Sequence, residues 1–151
     1  MASSTRKVVI DTYAIMADIL GEASPRASAI LEDVRRGRIE GVIHYLTVFE
    51  LAYHWKKGRL PFRDEYELLS FVNVYFTLEE LTPELAIEAA KVKLLGDKLL
   101  QESCDVQLRR RRLSIADATT IAVARKHAIP IVTGDKDLMY VAQKLGVEVV
   151  W

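Results

Sequence analysis

Lys7-Val8-Val9-Ile10-Asp11-Thr12 is a short β-branched run that ends on an acid. Residues 13–20 behind it carry helical character until Gly21. A strand that feeds at once into a helix is the unit from which parallel sheets are assembled. The unit recurs near the other end of the chain, where Ile129-Pro130-Ile131-Val132-Thr133 reads as a strand and Gly134-Asp135-Lys136-Asp137 as a turn into a helix over 138–145, closed by Gly146. Residues 147–150 read as a final strand.

The middle of the chain follows the same alternation. Ser24-Pro25 sets a capping residue before a first-turn proline and opens a helix to about residue 36, stopped by Gly37. Residues 39–45, centred on Gly41-Val42-Ile43, form a second strand. Thr47-Val48-Phe49-Glu50 has the pattern of a capping box, and Val48, Leu51, Ala52 and Trp55 recur at the spacing of a buried helix face that Gly58 ends. A helix over 63–72 leads into Val74-Tyr75-Phe76-Thr77 as a strand. Thr82-Pro83-Glu84 opens a long helical stretch interrupted near Gly96, and 97–112 follows no regular pattern. Ser114-Ile115-Ala116-Asp117 caps a helix of small residues to 127. Short apolar strands between longer helices, with no linker and no repeat, predict a single α/β domain over 1–151 around a mostly parallel sheet.

The composition agrees. A chain of 151 residues fits one domain. With 50% hydrophobic and 28% charged residues, and only 7 Gly and 4 Pro, it is neither disordered nor low-complexity. Its 21 basic residues balance 21 acidic ones, which excludes nucleic-acid binding through bulk charge and leaves only local patches. The lone Cys104 has no disulfide partner and is expected to be a small buried residue. The basic start, residues 1–7, is followed by an apolar stretch too short for a signal peptide, and no run reaches the roughly 20 residues of a membrane span, so a cytoplasmic setting is expected.

In a parallel sheet, ligands sit beyond the carboxyl ends of the strands, and that is where the acids fall. Asp11 follows the first strand, Asp135 and Asp137 follow the strand over 129–133, and Glu50 sits early in the helix after the second strand. Asp117 is the only charge between Ser114 and Arg125, in a small apolar helix start where a bare carboxylate needs a partner. Singly, each has an ordinary reading: Asp11 and Asp135 as caps or turn residues, Glu50 as the partner of Thr47 in a capping box or a solvated acid one turn before His54, Asp117 as a first-turn acid favoured by the helix dipole. Those readings do not predict all four at strand ends and helix starts of one sheet. Two carboxylates about 5 Å apart repel by about 3 kcal/mol at an effective dielectric of 20. A cluster therefore takes up protons or a cation, and oxygen ligands without a supporting Cys or His set favour Mg²⁺ or Mn²⁺ over Zn²⁺. Hydrolysis of a phosphodiester is the reaction such an open, hydrated site suits.

Together, Val8-Val9-Ile10-Asp11-Thr12, Glu50 within Leu46-Thr47-Val48-Phe49-Glu50-Leu51, Leu113-Ser114-Ile115-Ala116-Asp117-Ala118 and Ile131-Val132-Thr133-Gly134-Asp135-Lys136-Asp137-Leu138 resemble the PIN-domain nucleases, and among them the VapC toxins of toxin–antitoxin pairs. The resemblance implies a three-layer α/β/α fold, a Mg²⁺- or Mn²⁺-dependent endoribonuclease acting on RNA, a VapB-like antitoxin partner and a homodimer. It places Asp11, Glu50, Asp117 and Asp135 as the catalytic and metal-binding acids, Asp137 as a fifth acid and Thr133 as the hydroxyl residue before the last acid pair.

Arg109-Arg110-Arg111-Arg112 lies just before Ser114 and is a candidate RNA-binding run, of which one or two arginines can face a substrate; as a plain reading it is a solvated charge run. Lys56-Lys57 and Arg59 form a second basic cluster, and aromatic residues interleave with neither. His44, His54 and His127 make no ligand or nucleophile pattern and read as structural or surface residues, His54 being the one placed to donate a proton beside Glu50. A housekeeping RNA-processing nuclease and a catalytically silent RNA- or protein-binding module are the alternatives. A phosphoacceptor receiver or dehalogenase-like phosphatase is disfavoured, because Asp11-Thr12-Tyr13 lacks a second acid and Asp117 opens a helix.

Overall fold

The computed structural model describes residues 6–151; residues 1–5, on which the leader reading partly rests, lie outside them. Five strands, β1 (Arg6–Ile10), β2 (Ile39–His44), β3 (Thr77–Glu79), β4 (Ile131–Val132) and β5 (Val149–Val150), form one sheet in the order β3-β2-β1-β4-β5. Every pairing is parallel, with Val9 beside both Val42 and Ile131. The expected α/β fold with a parallel sheet is therefore present, and all the carboxyl ends of the strands share one edge.

Side-chain alternation along the strands builds the layers. Val8, Ile10, Ile43 and Val132 join a core under α1 (Thr12–Ile19), α2 (Pro25–Arg35), α3 (Tyr45–Lys56) and α4 (Glu65–Tyr75). Val9, Val42 and Ile131 face a second core under α5 (Pro83–Gln101), α6 (Val106–Arg109), α7 (Ile115–His127) and α8 (Lys136–Lys144). The sheet is thus the middle of three layers. Each strand residue that moves one position changes core, so the register fixes which acids emerge at the edge. Among the described residues, no helix is long and apolar enough to cross a membrane.

Several local expectations give way to tertiary packing. Helix α3 begins at Tyr45 after His44, which makes no side-chain cap, so Thr47 lies inside the helix, buried, and is no cap; Glu50 is its sixth residue rather than its third. Helix α4 runs through Val74 and Tyr75, and the strand is displaced to Thr77–Glu79. Gly96 does not interrupt α5: a β-carbon there would stand 2.7 Å from Leu113 Cδ2 and 3.2 Å from Val141 Cγ1, so the missing side chain lets the helix close on its neighbours. The irregular 97–112 region completes α5 and adds the four-residue α6. The strand over 129–133 shortens to two residues, and what reads as a turn after it is the start of α8, capped by Asp135. Cys104 is exposed rather than buried, in the loop between α5 and α6.

Candidate active site

Asp11 leaves β1 as the N-cap of α1. Its Oδ1 accepts from the Ala14 amide at 2.9 Å and its Oδ2 from the Thr133 hydroxyl at 2.6 Å, with only 3% of the residue exposed. Thr133, just beyond β4, also accepts from the Asp135 amide at 3.0 Å, so one hydroxyl ties the ends of β1 and β4 together. Asp135 caps α8 through Oδ1, which accepts from the amides of Asp137 and Leu138. Glu50 reaches the same edge from the interior of α3, where Thr12 donates to its Oε1 at 2.6 Å. Asp117 comes from the first turn of α7, where Ser114 Oγ accepts from its amide at 3.0 Å. The caps that explain Asp11 and Asp135 singly are real, and they also hold those carboxylates in place.

The five acids line one cavity of about 510 Å³, together with Thr12, Tyr13, Met16, His54, Ser114 and Arg112 among others. Their electrostatics record the convergence. Burial first, then Asp135 and Glu50, push Asp11 up to about 7 against the hydrogen bonds from Thr133 and Ala14. Burial pushes Asp117 up to about 8, with Asp135, Asp11 and Glu50 adding to it. Asp137 is raised by burial and by Asp135, and restrained by Arg111, whose Nη1 lies 3.4 Å from its Oδ2. Asp117 therefore feels three other carboxylates that lie far away in sequence.

Among the described residues, no three His, Cys, Asp or Glu side chains are drawn together tightly enough to cage an ion as they stand. The donor set nevertheless suits a hydrated divalent cation. It is all oxygen, it opens on a cavity, and among the described residues no hydrogen bond reaches Glu50 Oε2 or Asp135 Oδ2. A small hard cation that keeps several waters needs only a few protein oxygens and relieves the repulsion that raises Asp11 and Asp117.

Of the arginine run, Arg112 lines the cavity and Arg111 pairs with Asp137, whereas exposed Arg109 and Arg110 belong to α6 and its C-terminal cap and are not part of the lining. His54 lines the cavity with its Nδ1 2.9 Å from Arg59 Nη1. His44 is structural: buried at the end of β2, it sits 2.9 Å from Thr120 Oγ1, which donates to the Ala116 carbonyl, and burial lowers it to about 4. It ties β2 to the turn of α7 that carries Asp117. Sequence reasoning missed Thr12 and Tyr13 as site residues; their adjacency to Asp11 at a strand end was the available signal.

The fold is similar to those of solved proteins. PAE2754 from Pyrobaculum aerophilum matches with a TM-score of 0.59 and 19% identity over 96% of this chain and 91% of that one. FitAB bound to an IR36 DNA fragment matches with a TM-score of 0.61 and 15% identity over 95% and 93%. FitAcB from Neisseria gonorrhoeae matches with a TM-score of 0.59 and 15% identity over 95% and 96%. No curated protein matches the sequence at a significant level. The sequence profile of the PIN domain matches residues 8–144, nearly the whole chain, and with the parallel sheet and the acids at its edge this shows that the chain belongs to the PIN domain family.

Proposed function

We propose that this protein is a Mg²⁺- or Mn²⁺-dependent endoribonuclease that hydrolyses RNA phosphodiester bonds and serves as the toxin of a toxin–antitoxin pair. The observation that carries the reading is the meeting of Asp11, Glu50, Asp117 and Asp135, from four separate segments, in one cavity where burial first and their neighbours second push Asp11 and Asp117 well above the usual carboxylate range. Those four, with Asp137 at the side, are the residues that would hold the cation. Bound there, the cation supplies charge to polarise the phosphodiester and to make water a better nucleophile. A cation held there would favour the charged forms of Asp11 and Asp117 over the protonated ones. Thr133 and Thr12 keep the Asp11 and Glu50 carboxylates oriented. Arg112, at the same cavity, attracts the substrate's phosphates.

The VapB-like antitoxin follows from the resemblance to VapC toxins, and the cytoplasmic setting from the lone Cys104 and the short apolar stretch after the basic start. The homodimer is supported by Tyr45, Phe49 and Tyr53, spaced one turn apart along α3 and each at least half exposed. Purified protein is expected to cleave RNA with Mg²⁺ or Mn²⁺, to stop with EDTA, and to lose about 100-fold or more in Asp11→Asn. Equal cleavage by Asp11→Asn and wild type removes the assignment. Growth arrest on expression, relieved by the product of an adjacent small gene, separates a toxin from a housekeeping nuclease.

A further inference from the structure

Tyr13 stands at the cavity with 48% of its surface exposed. An exposed tyrosine is ordinarily free to turn, but this one is braced. Trp151 meets it edge-on, with ring centroids 5.5 Å apart and planes at 69°. Gly134 lies against both rings so closely that a β-carbon would stand 2.5 Å from Trp151 Cε2 and 2.7 Å from Tyr13 Cε1. Since Gly134 sits between Thr133 and Asp135, the loop that positions the acids also positions the ring. Met16 and Leu20 continue this apolar wall, and Arg112 lines the same cavity with a positive charge.

A fixed aromatic surface, a phosphate-attracting arginine and an acidic centre within one open cavity are the parts of a single-strand site. Bases stack on aromatic rings whatever their sequence, provided they are not already stacked in a duplex. We propose that Tyr13 is a base-stacking platform that makes the site selective for single-stranded RNA: the scissile phosphate lies toward the acids while an unpaired base covers the Tyr13 ring. This rests on the ribonuclease reading for its substrate but is tested by binding, without cleavage.

The probe is a 12-nucleotide single-stranded RNA with 2-aminopurine at alternate positions, and the same RNA annealed to its complement. Both are titrated with Mn²⁺ present into Asp11→Asn, into Asp11→Asn with Tyr13→Leu, and into Asp11→Asn with Tyr13→Phe. Stacking predicts that Tyr13→Leu, which keeps apolar bulk, weakens single-strand binding about tenfold and loses the 2-aminopurine quenching, while Tyr13→Phe, which keeps the ring, stays within about twofold. Duplex affinity is expected to be the same for all three. Unchanged binding in Tyr13→Leu, an equal loss in Tyr13→Phe, an equal loss on duplex, or no binding of single-stranded RNA at all overturns the platform. Ring-dependent binding by a wild-type protein that cleaves no RNA keeps the platform and removes the nuclease. Cleavage that is indifferent to Tyr13→Leu does the reverse.

Discussion

Replacing Asp117 with asparagine should stabilise the cation-free protein, and by an amount that grows with pH. Asp117 stands at about 8 in the folded chain against an ordinary 3.8, raised by burial and then by Asp135, Asp11 and Glu50. Between those values the folded state keeps a proton that the unfolded state has released, so unfolding free energy falls as pH rises and levels off only above the folded value. The slope is about 1.4 kcal/mol per pH unit for one group, or about 4 kcal/mol from pH 5 to pH 8. Solvent in the open cavity and small movements of the carboxylate reduce this to an expected 2 kcal/mol or so. Asparagine has the shape of the protonated acid and never ionises, and the Ser114 cap on the residue 117 amide does not depend on the side chain. His44 acts in the opposite sense, since its lowered value of about 4 costs stability as pH falls from 6.5. It is present in both proteins and cancels in their difference. Urea unfolding in EDTA at pH 5, 6, 7 and 8 measures that difference. The difference should widen by about 2 kcal/mol between pH 5 and pH 8 in favour of asparagine, with Mn²⁺ reversing the order by stabilising the wild type more. A difference that stays flat, or that favours wild type as pH rises, refutes the reasoning that burial among other carboxylates raises Asp117.

Gly96→Ala should destabilise by about 1–2 kcal/mol in urea unfolding, because the new β-carbon presses on fully buried Leu113 by more than the roughly 1 kcal/mol that alanine gains in a helix; stabilisation would show that α5 has room to move. Arg112→Ala should weaken RNA binding and reduce the steepness of its salt dependence by about 0.7 in log–log slope, while Arg109→Ala leaves both unchanged. Equal effects of the two substitutions, measured by fluorescence anisotropy at several salt concentrations, would mean that the arginines act as an undirected charged surface.

The legible parts of this chain were those that local chemistry controls. Ser24 with Pro25, Thr82 with Pro83 and Ser114 each cap the helix they announce, because a cap is satisfied within three residues. Thr47 misled because its pattern is the same as a cap's while β2 delivers the chain into α3 three residues earlier and buries the hydroxyl. Tyr75 misled because aromatic and β-branched residues suit a strand, yet here Phe71 and Tyr75 meet edge-on within α4.

The sequence by itself determined the alternation of strands and helices and set acids at strand ends, since periodicity and capping act over a few residues. Only the tertiary structure decided which side chains share a site. Thr133 reaches Asp11 across 122 positions and Thr12 reaches Glu50 across 38, contacts that exist because parallel pairing brings the strand ends to one edge. The same pairing selects Arg112 from a run of four and sets Gly134 under Tyr13 and Trp151. It also changes the acids themselves: a carboxylate of ordinary acidity in the unfolded chain becomes, once buried among its like, a group that holds its proton near neutrality.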